Sequence, residues 1–184
     1  MVVEVRGQRP EEADAVRGVV AAAFGDDAVA ALWADLAARP RTESVVAVSD
    51  GSVVGHVGLS WGWVDARERL VDALVLSPLS VAPDHQRAGI GRALVAHAVA
   101  AADHLGSPAL FLEGDPAYYS RLGFVEAAPH GFTPPSVRIP LPAFQCVLLS
   151  AYDESVTGAL VYPEEFWAHD SVGLRGERLE RLGP

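Results

Sequence analysis

Residues 79 to 94 carry the clearest chemical signal in the chain. They read Leu79-Ser80-Val81-Ala82-Pro83-Asp84-His85-Gln86-Arg87-Ala88-Gly89-Ile90-Gly91-Arg92-Ala93-Leu94. A strand ends, a loop follows, and Gly89 and Gly91 open a helical pattern. Glycines let a backbone approach a ligand closely. The first amides of a helix lack internal partners and sit at its positive end. Together these features make a phosphate cradle of backbone N–H groups. Gln86, Arg87 and Arg92 can add side-chain donors. Two other phosphate motifs are excluded. A P-loop needs Gly-Lys-Ser/Thr, and the chain contains no lysine. A dinucleotide fingerprint needs a third glycine three residues after Gly91, where Leu94 stands.

The surrounding pattern predicts the elements that must hold this loop. Val2 to Arg6 reads as a strand, and Pro10 opens a helix with Ala13, Val16, Val20 and Phe24 on one face. A second helix spans about 26 to 39, with Val29, Leu32, Trp33 and Leu36 at helical spacing. Glu43–Ser49 and Ser52–Trp63 read as strands, with Asp50-Gly51 as a tight hairpin turn. Leu70–Val81 is a third strand region, where Ser77-Pro78 suggests a bulge or an unpaired stretch. A helix runs from Gly89 to about Leu105. Leu110–Leu112 is a strand, Ala117–Leu122 a short helix, and Phe124–Ala127 restarts extended structure. Phe144–Tyr152 and Ala159–Tyr162 are late strands. This order predicts an α/β (α+β) fold: a mixed, mostly antiparallel central sheet flanked by helices. Residues 1–167 are expected to form one domain, and 168–184 a charged C-terminal tail or short helix.

Composition narrows the function classes. The 184 residues include 14 Arg and no Lys against 24 Asp and Glu, for a net charge of -10. A nonspecific nucleic-acid binder needs a basic face, so no nucleic-acid partner is expected. A Schiff base or acyl-enzyme on lysine is excluded. The single cysteine, Cys146, permits no intramolecular disulfide and no multi-cysteine zinc site. It sits in an apolar run and reads as a buried structural thiol. His56, His97, His104 and His130 lack metal-ligand spacing, and no metal is expected. The N-terminus lacks the order of a signal peptide, and no stretch reaches 18 apolar residues. A cytoplasmic protein with no membrane association is the expectation.

Gln86-x-x-Gly89-x-Gly91 resembles the acetyl-CoA pyrophosphate-binding motif of the GNAT superfamily of N-acetyltransferases. The strand before it, Leu79 to Pro83, is similar to the strand that precedes that motif. Gly114-Asp115-Pro116-Ala117-Tyr118-Tyr119-Ser120-Arg121-Leu122-Gly123-Phe124 resembles the family's Tyr-x-x-x-Gly-Phe signature. It has the Pro-Ala-Tyr-Tyr form of one group of small bacterial acetyltransferases. The likeness is strong over 76–126 and weaker over 44–167, where it includes Val161-Tyr162-Pro163.

The resemblance implies an acetyl-CoA-dependent N-acetyltransferase acting on a primary amine of a small molecule or peptide by direct attack. Leu79, Ser80 and Val81 would pair with the pantetheine arm, and Leu79 would polarise the thioester carbonyl. The amides of Arg87, Ala88, Gly89, Ile90, Gly91 and Arg92, with Gln86 beside them, would hold the pyrophosphate. Tyr119 matches the family's general acid, placed to protonate the departing sulfur. Asp72, Glu113 and His85 are the candidate bases nearest in sequence. Trp61 and Trp63 share a strand face and are expected to pack under the first two helices, with a pocket lining as the alternative. A noncatalytic acyl-CoA-binding or regulatory module on the same fold is the alternative function. The acceptor has no readable code, and a homodimer is compatible with the sequence.

Overall fold

The structure is a computed structural model and describes residues 2–174. The chain divides into two compact units, one of residues 1–60 and 76–101, the other of 61–75 and 102–184. Strand β3 (Ser52–Ala66), strand β4 (Leu70–Val81) and helix α3 (Ile90–His104) contribute residues to both.

The first unit holds β1 (Val3–Gly7), α1 (Ala13–Phe24), α2 (Ala28–Ala37) and β2 (Glu43–Ser49). A 3-10 turn over Pro10–Glu12 leads into α1. Its strands run in the order β1-β2-β3-β4, with β1–β2 and β2–β3 antiparallel. The β2–β3 turn has Asp50 at φ 49 and Gly51 at φ 79, the two positive angles that a two-residue hairpin demands. Two glycines on β3 let helices reach the strand. A Cβ at Gly58 would fall 2.2 Å from the Trp33 ring of α2. A Cβ at Gly55 would fall 3.0 Å from both Ile90 and Leu94 of α3. Side chains alternate along a strand, so positions three apart face opposite ways. Helices α2 and α3 therefore cover opposite faces of β3.

Strand Leu70–Val81 runs on through Pro78, which follows a cis peptide bond. A register shift lies in the β2–β3 pair, between Ala47 and Val48. On α1 the buried residues are Val16, Val19 and Val20, while Phe24 is 48% exposed. The expected face thus rotates toward Val19.

The second unit holds β5 (Ala109–Glu113), α4 (Pro116–Tyr119), β6 (Val125–Glu126), β7 (Phe132–Thr133), β8 (Phe144–Leu148), β9 (Gly158–Val161) and α5 (Glu164–Ala168). Strands β4 and β5 pair in parallel, Leu74 beside Leu110 and Val75 beside Phe111. β8 pairs antiparallel with both β5 and β6. β9 pairs antiparallel with β3 and in parallel with β7. The fold is thus mixed α/β with a mostly antiparallel sheet. Phe111 is fully buried, stacked on Phe144 at 5.8 Å and edge-on to Phe132 at 4.9 Å between centroids. Cys146 is also fully buried, and burial pushes its thiol up to about 12. It is the inert thiol that its apolar run predicts.

Trp63 does not fill a core. It is 37% exposed on β3, whereas Val64 beside it is fully buried. Trp61, on the same face of the strand, is half-buried. From residue 168 onward, the described part ends at Leu174 and is folded onto the unit, with Val172 fully buried. The remainder of the expected tail, 175–184, lies outside the described residues.

Candidate functional site

In the first unit, β4 delivers the glycine loop. Pro78 and Ser80 are buried on one face of the strand, and Leu79 and Val81 are half-buried on the other. The Ala82 N–H donates to the Val54 carbonyl at 2.9 Å, which ties the strand end to β3. A 3-10 turn over Pro83–His85 follows. Gln86 is exposed, and its Nε2 donates to the Val81 carbonyl at 3.1 Å. It braces the loop across its base in addition to offering a donor at the surface.

The loop then takes two left-handed residues, Arg87 at φ 61 and Gly89 at φ 84, around Ala88. Arg87 is strained there, because a non-glycine side chain disfavours this region. Alternating backbone hands aim successive N–H groups to one side, an anion-binding concavity. Ile90 is 2% exposed and anchors the first turn of α3 beside Gly55. The first helical hydrogen bond runs from the Ala93 N–H to the Gly89 carbonyl at 3.1 Å. The amides of Ile90, Gly91 and Arg92 therefore precede the helical ladder. Arg87, Ala88 and Arg92 are exposed and Gly91 is half-buried. The structure thus gathers Leu79, Ser80, Val81 and Gln86 through Arg92 on one strand–loop–helix junction.

In the second unit, α4 presents Tyr119. Asp115 caps the helix by accepting the Ala117 N–H at 2.9 Å. Gly123, at φ 93, ends the following 3-10 turn. The Tyr119 ring lies on Gly114, where a Cβ would sit 2.3 Å from Cε2. Tyr118 and Phe124 meet it edge-on, at 4.9 and 5.6 Å between centroids. Burial, and the Tyr118 hydroxyl beside it, raise the Tyr119 phenol above its ordinary value. Tyr119 therefore remains protonated at neutral pH.

The candidate bases differ sharply. Asp72 is exposed at the start of β4 and lines an open depression of about 490 Å³ with Arg69, Gly106, Pro108 and Asp153. His85 is half-buried in the 3-10 turn before Gln86. Glu113 is half-buried at the end of β5, and burial raises its carboxyl above the ordinary range. A Tyr162 hydrogen bond, the Gly173 N–H at 3.2 Å and the Arg138 charge oppose that rise. Asp72 and Glu113 stand at opposite ends of the parallel β4–β5 pair. The Glu113–Tyr162 contact was not anticipated from sequence. Among the described residues no group of three His, Cys, Asp or Glu could hold a metal ion, and no helix is long and apolar enough to cross a membrane.

The sequence profile of the acetyltransferase (GNAT) family matches residues 13–124, a span that draws on both units. The uncharacterized N-acetyltransferase YhbS of Escherichia coli (strain K12) is 32% identical over 171 residues, covering 88% of this chain and 97% of YhbS. The crystal structure of Escherichia coli YhbS in complex with CoA has a TM-score of 0.80 at 31% identity, covering 89% of this chain and 91% of that one. A GNAT family acetyltransferase from Brucella melitensis in complex with acetyl-CoA has a TM-score of 0.73 at 28% identity, covering 90% and 98%. The chain belongs to the GNAT family of acetyltransferases.

Proposed function

We propose that the enzyme transfers an acetyl group from acetyl-CoA to a primary amine of a small molecule or peptide by direct attack. The observation that carries the reading is the turn from Arg87 to Arg92. Its two left-handed residues and three helix-leading amides form a lysine-free anion cradle. The CoA and acetyl-CoA complexes of YhbS and of the Brucella melitensis enzyme support the same donor here.

In this reading, backbone amides from Arg87 to Arg92 hold the pyrophosphate, and Leu79, Ser80 and Val81 pair with the pantetheine arm. The Leu79 N–H polarises the thioester carbonyl. The neutral amine attacks the carbonyl carbon and the C–N bond forms. The C–S bond then breaks, Tyr119 gives its proton to the leaving sulfur, and the proton that the acylated nitrogen sheds restores the Tyr119 phenol. Deprotonating a lysine-like amine at pH 7 costs about 4.6 kcal/mol, from a pKa near 10.4. Glu113 takes that proton. It is favoured over Asp72 and His85 because burial strengthens it as a base. It also stands at the carboxyl end of a parallel strand pair, where ligands of open α/β sheets bind.

Thiol release with a panel of primary amines and peptides tests the reading. Tyr119→Phe should lower kcat by about 100-fold or more and leave acetyl-CoA binding unchanged. Equal turnover by wild type and Tyr119→Phe rules out the tyrosine as acid. Acetyl-CoA binding with no turnover across the panel would favour the noncatalytic acyl-CoA module instead.

A further inference from the structure

Glu113 is surrounded by residues remote in sequence. Tyr162 follows β9, is 4% exposed, and packs its ring on Phe166 of α5 at 4.7 Å between centroids. Its hydroxyl is hydrogen-bonded to the Glu113 carboxylate. Burial, reinforced by the Glu113 charge, holds the Tyr162 phenol well above its ordinary range, so it acts as the donor. From the other direction, the Gly173 N–H donates to Glu113 Oε2 at 3.2 Å.

Arg138 fastens the segment that carries this amide. Its Nε and Nη2 donate to the Val172 carbonyl at 3.2 and 2.7 Å, and Nη2 lies 3.9 Å from Asp170. The Leu174 N–H returns to the Arg138 carbonyl at 3.0 Å. Gly173 approaches so closely that a Cβ there would sit 2.7 Å from the Arg138 backbone, and its φ of +67 also favours glycine. Residues 170–174 thus form a strap whose Val172 side chain is buried.

A carboxylate buried without donors is driven toward its neutral form, and donors to the charged form oppose this. We propose that Tyr162 and the Arg138-anchored strap of residues 170–174 are positioning groups that orient Glu113 and set its protonation. The proposal rests on Glu113 as proton acceptor only for its kinetic consequence. The groups that act on Glu113 are the Tyr162 hydroxyl, the Gly173 amide and the Arg138 guanidinium, with Asp170 acting through Arg138.

A carbon-13 NMR titration of the full chain with labelled glutamate carboxyls reads Glu113 directly, with Glu113→Gln assigning its resonance. Tyr162→Phe keeps the ring and removes the donor. The Glu113 midpoint should rise by about one pH unit. Arg138→Gln should raise it by less, and it decides the matter if Tyr162→Phe does not fold. A midpoint unchanged in both variants overturns the proposal. The acid limb of kcat/KM distinguishes the two readings. A limb that rises with the midpoint supports both. A rising midpoint with a fixed limb supports the strap and removes Glu113 as the base.

Discussion

Tyr119 shows how one residue's chemistry depends on its neighbour having no side chain. Its ring occupies the space where a Gly114 Cβ would lie, 2.3 Å from Cε2. Gly114→Ala should displace the phenol and destabilise the chain by about 1–3 kcal/mol, as overpacking does. Thermal unfolding and kcat measured together check this, and an unchanged kcat would show that the ring's seat does not matter to turnover. A second residue makes a pH prediction. His56 is fully buried, 4.5 Å between centroids from Trp33, with Nε2 3.0 Å from Ser44 Oγ. Burial lowers its pKa from 6.5 to about 3. Below pH 6.5 the unfolded chain takes a proton that the folded chain refuses. Stability is therefore fully present above 6.5 and falls by about 1.4 kcal/mol per pH unit below it, until the folded pKa is reached. Urea unfolding at several pH values should show this slope, and His56→Gln should flatten it.

At the scale of elements, packing depends on which glycines a helix can rest on. Gly58→Ala puts a Cβ 2.2 Å from the Trp33 ring, so α2 must lift. The expected loss is about 1–3 kcal/mol, read as a lower urea midpoint with acetyl-CoA affinity preserved. A midpoint equal to wild type would show that Trp33 repacks freely. Local signals made much of this architecture legible. Asp50-Gly51 specified its hairpin, and Leu32, Trp33 and Leu36 specified the buried face of α2. Non-local signals were silent. The pairing of β9 with β3 and the contact of Tyr162 with Glu113 join residues far apart in sequence, and no periodicity encodes them. Helix α5 was missed because Glu164–Ala168 is too short to show a helical period. Phe24 and Trp63 were placed in the core by their apolar character, but hydrophobic residues are not obliged to be inside.

For the whole molecule, the lysine-free composition and the glycine loop point to the same chemistry. In the proposed reading, a chain with 14 Arg, no Lys and net charge -10 would cradle its anion with backbone dipoles, and its net negative charge would draw a cationic amine. The loop was readable because Gly89 and Gly91 announce a turn into a helix, and Gly89 does take a left-handed φ of 84 before α3. The acceptor was not readable, because pocket-shaping side chains carry no fixed spacing. Isothermal titration of the full chain with acetyl-CoA tests the central claim most directly. The account predicts saturable binding at one site, weakened about tenfold or more, roughly 1.4 kcal/mol, by Gly89→Val, whose side chain resists the left-handed turn. Folded wild-type protein that takes up no acetyl-CoA at millimolar ligand would contradict it.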